Sequence, residues 1–569
     1  MRTSFVCAIT VLSMIGLASP SRGQSQAFVS MPMLQGDPVP GLLGTNFGSG
    51  TSVPAINASN STAFWNRYNV TEGALFSSSG GMHIVVKGGD AAPGGGVFSP
   101  VSAPVFTPAD TGSTAFVHSI NGGGTSLGIW AETGGGLTRI AYNDLVAPSS
   151  PPGTFILEGT QLLSCSNAGH LAFTCISDAT GTGHTYITLF SGKPGSLSQH
   201  ARQDAPPSST GFTSLSTVIQ INSSGVACLS GSFISDAPHS GVLTGASGGL
   251  QVTAATEQDA PGTVGQPLPG VKFKSIGAYA VNGSNNVAFL AALQGGGYTG
   301  EIALYVKDAG GVRQLFVANQ QVPGEPGATN WGTFNPPLYC DDGDIIIQAN
   351  VFGAGTNSSN QTGIWRYRGN VLSRICRAGQ AVPDVPGATL GLSSSTAVAA
   401  NAFGQIAFSG TFDLGGNVQA LFGTDRSGNL VTVYKAPDKM TVRPGMIRSF
   451  SSFSNMNISG GNDGRLRSLN DSGYIACAAS VNIPPGQPFG QNGRGILLFR
   501  IAARCPGDLN SDGFVDDADF VPFVAAYNLL DCADPAMPLG CPADLNADGF
   551  VDDADFVTFV AGYDALVCP

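Results

Sequence analysis

The chain has 569 residues, of which 11% are charged, and it contains 79 Gly and 36 Pro. A hydrophobic content of 42% argues against a disordered chain, and many short apolar runs between Gly, Pro and Asn indicate an all-β protein. The segment from Cys505 to Pro569 contains 13 Asp and no Glu, Lys or Arg, whereas the body before it is almost neutral. This charge distribution argues against a protein that binds nucleic acid or anionic membranes.

The N-terminus has the pattern of a secretory signal peptide. Arg2 supplies a positive charge, and Phe5 to Leu17 form an apolar stretch that is followed by small residues. We predict a signal peptide over residues 1–27, with cleavage after Ala18 or Ala27. The stretch is too short to span a bilayer, and no other segment reaches 18 uninterrupted apolar residues, so we expect a secreted protein without a transmembrane segment.

A phrase that begins with Asn and ends with Ala-Phe recurs through the body. Its clear copies begin at Asn57, Asn282, Asn401 and Asn470, and degenerate copies end at Phe116, Phe173, Cys228 and Ile347. The eight copies lie 52 to 69 residues apart. An apolar strand with a Pro/Gly turn and a further apolar strand recur with the same period. Each unit of about 58 residues therefore offers three or four short strands.

Units of this kind match the blades of a β-propeller. The body begins with the Pro/Gly phrase and ends with the Asn phrase, so one unit is split between its two ends. The first strand can then complete the last blade, which closes the ring and hides its edges. We predict an all-β body, an eight-bladed β-propeller over residues 28–502. An open β-repeat solenoid is the alternative, but it needs terminal caps that the sequence does not show.

With these repeats the body resembles the bacterial NxxGxxAF tandem-repeat family, in which similar repeats carry interchangeable C-terminal anchors. The resemblance covers most of residues 28–501. It implies secretion and anchoring, and it implies no established activity.

The body offers weak signals for chemistry. It contains no Walker loop and no HxxxH pair, and we assign no catalytic residue. The recurring Asp of the Pro/Gly turns, as at Asp37, Asp90 and Asp204, is more typical of an Asx-turn than of carboxylates arrayed around an axis. Trp130 and Trp365 could stack on sugars, but such residues more often belong to the core of a blade.

The acidic tail contains one 17-residue phrase twice, 36 residues apart. Counted from the first Asp of each copy, oxygen-bearing side chains fall at positions 1, 3, 5, 9 and 12, Gly stands at position 6, and Phe offers a backbone carbonyl at position 7. This is the spacing of an EF-hand calcium loop. We predict two Ca²⁺ ions, with these ligands: Asp508, Asn510, Asp512, Phe514, Asp516 and Asp519; Asp544, Asn546, Asp548, Phe550, Asp552 and Asp555.

A helix is expected after each loop. Apolar residues follow at i, i+3, i+4 and i+7: Phe520, Phe523, Val524 and Tyr527 in the first copy, and Phe556, Phe559, Val560 and Tyr563 in the second. Each set forms one stripe, so we expect the two helices to pack on each other through these residues.

A tandem of calcium loop and helix at the C-terminus of an exported chain resembles a dockerin. The paired cysteines and the Asp-Phe-Val-x-Phe helices are most similar to the GC-type variety, and the resemblance covers residues 503–569. It implies a calcium-dependent module that attaches the protein to a cohesin-like protein module. Positions 10 and 11 are Asp517-Ala518 and Asp553-Ala554, and the helices lack basic residues. We therefore expect the partner's face to differ from that of a cellulosomal cohesin.

Four cysteines of the tail follow the same 36-residue period as the loops: Cys505, Cys532, Cys541 and Cys568. Four cysteines allow three pairings. If the helices are antiparallel, as in dockerins, the end of each helix lies near the start of the other loop. The resemblance then implies the disulfides Cys532–Cys541 and Cys505–Cys568.

Two functions are compatible with the sequence. The first is a secreted, non-enzymatic repeat protein with a binding or structural role, attached to an extracellular or cell-surface assembly through its tail. The alternative is a polysaccharide-degrading enzyme, a glycoside hydrolase or lyase, on a propeller that the same tail targets. An open central funnel with two facing carboxylates would favour the enzyme. A plugged or apolar channel would favour the binding protein.

Overall fold

The computed structural model describes residues 28–565 with gaps. The undescribed residues are 1–27, 69–71, 100–104, 111, 113, 122–125, 134–135, 143–144, 146, 148–153, 159–162, 180–184, 204–210, 235–236, 247–248, 354, 384, 414–415, 426–427, 444–445, 454–455, 483–492, 502–506, 508, 510–514, 533, 535, 538–540, 542, 546–549 and 566–569. The predicted signal peptide lies outside the described residues. The chain divides at residues 502 and 503 into a body and a tail unit, and no helix among the described residues is long and apolar enough to cross a membrane.

The strands of the body form eight sheets, each of four to six strands, in the described part of the chain. The first strand is β1 (Phe28–Leu34). Blade 1 has β2 (Gly50–Thr51), β3 (Ala55–Ile56), β4 (Thr62–Arg67), β5 (Gly73–Ser77) and β6 (His83–Lys87). Blade 2 has β7 (Val97–Phe98), β8 (Val105–Pro108), β9 (Thr114–Asn121), β10 (Ser126–Thr133) and β11 (Gly136–Ala141). Blade 3 has β12 (Thr154–Glu158), β13 (Leu163–Cys165), β14 (Leu171–Ala179), β15 (Thr185–Gly192) and β16 (Ser198–Arg202).

The middle blades follow the same plan. Blade 4 has β17 (Gly211–Ile221), β18 (Ala227–Ile234), β19 (Pro238–Gly245) and β20 (Gln251–Ala255). Blade 5 has β21 (Asp259–Pro261), β22 (Pro267–Val281), β23 (Val287–Gln294), β24 (Ile302–Asp308) and β25 (Gly311–Val317). Blade 6 has β26 (Asn330–Phe334), β27 (Leu338–Tyr339), β28 (Ile345–Phe352), β29 (Thr362–Arg368) and β30 (Val371–Arg377).

The last two blades are linked by a short strand, β38 (Ser459–Gly460), which lies between two strands of blade 8 in the sequence but pairs with a strand of blade 7. Blade 7 has β31 (Thr389–Gly391), β32 (Val398–Ala400), β33 (Ile406–Asp413), β34 (Asn417–Thr424) and β35 (Leu430–Lys435). Blade 8 has β36 (Lys439–Arg443), β37 (Met446–Ser451), β39 (Tyr474–Asn482) and β40 (Gly493–Arg500), while β38 (Ser459–Gly460) pairs with β32 in parallel. The body is therefore an eight-bladed β-propeller, as the sequence predicts.

The first strand closes the ring. β1 pairs antiparallel with β40, from Phe28 opposite Phe499 to Leu34 opposite Gly495, and so supplies an edge strand of blade 8. Met33 is buried in one cluster with Phe64 of blade 1 and with apolar residues of β39 and β40. The predicted sharing of one blade between the two ends of the body is confirmed.

The Ala-Phe end of the repeated phrase builds the core of a blade. Its Phe stacks on an aromatic residue of the next strand in five blades: Phe64 on Phe76, Phe116 on Trp130, Phe173 on Phe190, Phe289 on Tyr305 and Phe408 on Phe422, with ring centroids 5.3–6.1 Å apart. These rings are buried, and each blade packs its apolar face on the next blade. Trp130 and Trp365 are both core residues, so the sugar-stacking reading of them is wrong.

The Asn at the head of the phrase both builds its own turn and holds the neighbouring blade. In blade 5 the Asn282 side-chain oxygen accepts hydrogen bonds from the backbone N–H groups of Ser284 (3.1 Å) and Asn286 (2.9 Å). Its Nδ2 donates to the carbonyl of Cys340 in blade 6, at 3.2 Å. Asn282 is completely buried, so these bonds form away from water.

The same donation recurs around the ring. The pairs are Asn57 to Ala109 O (3.3 Å), Asn222 to Asn282 O (2.8 Å), Asn401 to Asn470 O (3.1 Å) and Asn470 to Asn57 O (2.8 Å). The phrase has lost its Asn at Ala109, Ser166 and Cys340. After Ala109 and Cys340 a backbone N–H donates to the next blade instead, from Asp110 to Asn167 O (3.0 Å) and from Asp342 to Ala402 O (3.0 Å). The sequence indicated a turn residue at this position, and its role between blades was missed.

The six cysteines of the body, Cys165, Cys175, Cys228, Cys340, Cys376 and Cys477, are free thiols and all are buried. Burial raises the pKa of the Cys165 thiol to about 12 and raises the pKa of the other five as well. Because the thiolate is the reactive form, these thiols are protected from oxidation in the folded ring.

We expect the inter-blade bond to make the Asn of the phrase more important than an ordinary turn Asn. Asn282→Ala should lower the free energy of unfolding by about 1–3 kcal/mol, because it leaves buried backbone groups of two blades without partners. The control is Asn360→Ala, since Asn360 is only partly buried and its Nδ2 donates within its own loop, to Gly355 O. Urea unfolding measures both, and equal losses would contradict a role between blades.

Candidate functional sites in the ring centre and the acidic tail

A loop of blade 8 fills the centre of the ring. Residues 456–468, here called the channel loop, connect β37 to β39 and contact the inner edge of each of the other seven blades. The contacts, from blade 1 to blade 7, are Ile56 N to Arg467 O (3.0 Å), Arg467 to Asp110, Cys165 N to Gly464 O (2.9 Å), Ile221 N to Asp463 O (3.2 Å), Arg465 to Tyr279 O (3.4 Å), Asn462 to Asp341 (2.5 Å), and the pairing of β38 with β32.

The channel loop supplies hydrogen-bond partners to the inner strands. The N–H groups of Ile56, Cys165 and Ile221 point to the axis and would need water if the loop were absent. The sequence analysis did not identify this loop. Its signal is the longest spacing between copies of the Asn phrase, the 69 residues from Asn401 to Asn470.

Charged groups at the centre are paired with each other. The Asp463 carboxylate is buried and lies 2.9 Å from the Arg465 guanidinium. Burial raises the pKa of Asp463, and Arg465 acts in the opposite direction. Arg467 contacts Asp110 and lies 3.8 Å from Asp471. These carboxylates hold the channel loop in place rather than face an open funnel.

Two of the recurring Asp residues bond within their Pro/Gly turns, whereas Asp259 is an exposed residue of β21. Asp37 accepts a hydrogen bond from Leu34 N (3.1 Å) and Asp90 from Lys87 N (3.0 Å). Asp204 lies outside the described residues. Both bonds run back to the residue three positions earlier, whereas an Asx-turn would use the N–H two positions later, so Asp37 and Asp90 brace their turns without forming Asx-turns.

The channel loop requires glycine at position 464. Gly464 has φ +74°, and a Cβ added there would lie 2.4 Å from Ile221 O. Gly464→Ala should lower the free energy of unfolding, measured in urea, by about 1–3 kcal/mol more than the cost of placing Ala at a positive φ, because the tightly packed loop cannot move away from the added Cβ. Gly324→Ala is the matched control, since Gly324 has φ +78° and nothing within 4 Å of such a Cβ. An equal effect of the two substitutions would show that the loop is not tightly packed.

The tail has two helices among its described residues, α1 (Asp517–Tyr527) and α2 (Asp553–Ala565). Six predicted calcium ligands lie in described positions: Asp516, Asp519, Asp544, Phe550, Asp552 and Asp555. The other six, Asp508, Asn510, Asp512, Phe514, Asn546 and Asp548, lie outside the described residues. Both predicted helices are present, and each begins at loop position 10.

The position-12 carboxylates, Asp519 and Asp555, are fully buried and equivalent in the two copies. Asp519 Oδ2 accepts a hydrogen bond from Asp516 N (3.1 Å), and Asp555 Oδ2 accepts one from Asp552 N (2.9 Å). Asp555 Oδ1 also accepts one from Leu545 N, at 2.6 Å, across the second loop. Each position-12 side chain is thereby held at the start of its helix, beside its own loop.

These residues fit a calcium ion by their chemistry. The donors are oxygen atoms of carboxylates, amides and a backbone carbonyl, which Ca²⁺ prefers. Residues 505–569 contain no Lys or Arg, so no basic side chain of this segment can compensate the buried carboxylates. Cys532, Cys541 and Asp544 also lie close together, but the two sulfur atoms are bonded to each other and offer no thiolate to a metal.

The two helices are antiparallel and related to each other by near two-fold symmetry. Tyr527 at the end of α1 donates a hydrogen bond to Asp553 at the start of α2 (2.5 Å), and Tyr563 donates to Asp517 in the same way (2.6 Å). The Phe523 and Phe559 rings meet in the centre, with centroids 4.7 Å apart. The end of each helix therefore supports the start of the other helix, at position 10 of the other predicted calcium loop.

The predicted packing stripe is only partly correct. Phe523 and Phe559 are buried, but Val524 and Val560 are each 37% exposed and belong to the outer face. The helices cross on the Phe523 and Phe559 side, which turns the i+4 position of the stripe outward. An equivalent apolar patch is thus exposed on each helix: Phe520, Val521 and Val524 on α1, and Phe556, Val557 and Val560 on α2.

One of the two implied disulfides is present. Cys532 and Cys541 are bonded, with Cα atoms 5.4 Å apart. Cys505 and Cys568 lie outside the described residues, so their pairing stays a prediction. The segment after α1 also pairs with the second half of the second loop, where Val551 N donates to Leu530 O at 2.7 Å.

We expect each loop to bind its own calcium ion. In the full chain, Asp519→Ala or Asp555→Ala should each remove one of two calcium ions, because each takes away the buried ligand that closes a loop. Asp564→Ala is the control, since Asp564 is an exposed residue of α2 outside both loops. Isothermal titration calorimetry gives the stoichiometry. A wild-type chain that binds no calcium, or a variant that keeps both ions, would contradict the assignment.

Several solved structures are similar to this chain at low identity. The β-propeller domain of the trilobed protease from Pyrococcus furiosus is 10% identical, with 70% of this chain and 94% of that chain covered and a TM-score of 0.33. An oligogalacturonate lyase in complex with manganese is 9% identical (70% and 97% covered, TM-score 0.32). A PL25 ulvan lyase is 10% identical (84% and 94% covered, TM-score 0.29). Likeness at this level assigns no activity.

Sequence comparison gives a family without an assigned role. No curated protein matches the sequence. The model of the family of unknown function DUF7453 matches residues 69–481, which span most of the propeller. The chain therefore belongs to the DUF7453 family.

Proposed function

We propose that this protein is a secreted, non-enzymatic binding propeller that its calcium-dependent, dockerin-like tail attaches to an extracellular or cell-surface assembly. The observation that carries the proposal is the pair of equivalent apolar patches, centred on Val521 and Val557, which are each 69% exposed. A small module that buries Phe523 and Phe559 but leaves these valines in solvent has a surface suited to a partner protein.

The chemistry of the tail indicates the kind of partner. The patches lie on a module whose residues 505–569 contain 13 Asp and no Lys or Arg. A cohesin-like module that presents an apolar centre and a basic rim would complement this surface. The position of Asp517 and Asp553 beside the patches is the reason to expect basic residues on the partner.

The filled ring centre supports a binding role for the propeller rather than an enzymatic one. The channel loop occupies the space in which a polysaccharide-degrading enzyme would need an open funnel, and Asp463 and Asp110 are paired with Arg465 and Arg467. No described contact favours the alternative of a glycoside hydrolase or lyase.

Export is supported by the chemistry of the cysteines. The Cys532–Cys541 disulfide is compatible with an oxidising compartment. The six thiols of the body are buried and have raised pKa values, so they tolerate such a compartment. The predicted signal peptide over residues 1–27 would direct the protein to export.

Capture on the immobilised full chain tests the attachment. Surface proteins of the source organism are applied with calcium or with EDTA, and the module responsible is then produced alone and bound to the chain. We expect binding that needs calcium and that the double variant Val521→Asp, Val557→Asp abolishes. Val264→Asp is the control, since Val264 is an exposed valine of the propeller.

Equal capture in EDTA, or unchanged binding of the isolated module to the double variant, would contradict the proposed attachment surface. Detection of the intact protein inside the cell, with residues 1–27 still present, would contradict export.

A further inference from the structure

A groove lies at the junction between blades 5 and 6. It has a volume of about 450 Å³, within the range of about 300–1,000 Å³ that is usual for small-molecule sites. It lies between β25, the outer strand of blade 5, and the turn between β29 and β30 of blade 6. The side chains around it are Thr263, Arg313, Gln314, Phe316, Tyr367 and Asn370.

Tyr367 forms a fixed aromatic wall of the groove. Its ring stands at 90° to the buried Phe316 ring, with centroids 5.6 Å apart. Its hydroxyl donates a hydrogen bond to Asn370 Oδ1 (2.9 Å) and accepts one from Arg313 (3.4 Å). The Tyr367 side chain remains half-buried, so part of its surface faces the groove. A ring held in this way loses little rotamer freedom when a ligand packs on it.

The polar groups of the groove carry no net charge. Arg313 is bonded to Asp308, with N and O atoms 3.1 Å apart, so its charge is compensated within the same hairpin. In the described part of the chain, Asn370 Nδ2 and the Thr263 hydroxyl have no hydrogen-bond partner, and both residues are exposed. The groove thus offers an amide donor and a hydroxyl next to the aromatic wall.

This combination fits one class of ligand. A sugar ring has an apolar C–H face that packs on an aromatic ring, and hydroxyls around its edge that bond to amides, guanidinium and hydroxyl groups. A phosphate or a uronate would need a cation that is not already paired. An apolar ligand would leave the polar groups unsatisfied. We propose that this groove binds a neutral saccharide unit of an extracellular polysaccharide, a proposal that rests on the binding role of the propeller.

The residues that form the groove differ from those at the equivalent positions of the neighbouring blade. Tyr367 lies opposite Ile345 in blade 6, and Lys307 has the same register opposite Val287 in blade 5. The position of Arg313 in blade 5 is occupied by Ser373 in blade 6. A structural requirement of the blade would place similar residues at both positions. The difference indicates a role confined to this junction.

Calorimetric titration of the full chain tests the proposal. The probes are cellohexaose, xylohexaose and mannohexaose as neutral oligosaccharides, and oligogalacturonate as an acidic one. We expect at least one neutral probe to bind and oligogalacturonate to bind at least about tenfold more weakly, a difference of about 1.4 kcal/mol.

Variants locate the site. Tyr367→Ala should weaken binding by about tenfold or more, because it removes the stacking wall. Tyr367→Phe keeps the ring and should lose less. Asn370→Gly removes the amide while allowing the positive φ of +67° at this position, and it should also weaken binding. Lys307→Ala, at the same register in the neighbouring blade, should leave binding unchanged.

The proposal is overturned if no neutral oligosaccharide binds, if oligogalacturonate binds best, or if Tyr367→Ala and Asn370→Gly both bind as well as the wild type. Calcium titration of the same samples reports on the tail independently. A chain that binds calcium but no saccharide would contradict this site and leave the attachment role intact, and the reverse result would contradict the attachment alone.

Discussion

The propeller depends on a buried amide that serves two blades at once. The oxygen of Asn282 or Asn470 closes its own turn, and the nitrogen donates to the turn of the next blade. Neighbouring blades otherwise meet through apolar faces, which attract without fixing an angle or a register. A hydrogen bond between buried groups has a defined geometry. At the five junctions that contain it, the repeated Asn therefore fixes how one blade sits against the next, and the bond from Asn470 to Asn57 O lies at the closure of the ring.

The channel loop is the second consequence of the ring. Eight inner strands leave unpaired N–H and C=O groups around the axis, and such groups are costly unless they have partners. The loop satisfies those of Ile56, Cys165 and Ile221 and brings its own Asp463–Arg465 pair into the centre. A filled centre moves any binding role of the propeller to its outer surface. On that surface, the groove at Tyr367 has an aromatic wall and polar groups that can bond to a ligand, and its Arg313 is paired with Asp308.

The tail, like the propeller, is built from repeated units, but its difficulty is the small size of its apolar core. A segment of this size buries little apolar surface, and two copies of one loop and helix pack around Phe523 and Phe559. The reciprocal bonds Tyr527–Asp553 and Tyr563–Asp517 tie each helix end to the other loop. Two-fold repetition also duplicates the outer face, so the exposed apolar patch occurs twice.

The sequence by itself determined the repeat-level features of the body, which are the eight blades and the split blade. The Cys532–Cys541 disulfide was implied by the resemblance to dockerins, and the calcium ligands stay a prediction. The blades could be predicted because their local pattern recurs, and a pattern that is weak in one copy can be recognised when it is repeated. Only the tertiary structure decided that residues 456–468 fill the ring, that Val524 and Val560 face outward, and that Tyr367 meets Arg313. Each of these depends on which distant segment lies opposite, and neither periodicity nor spacing within one segment carries that information.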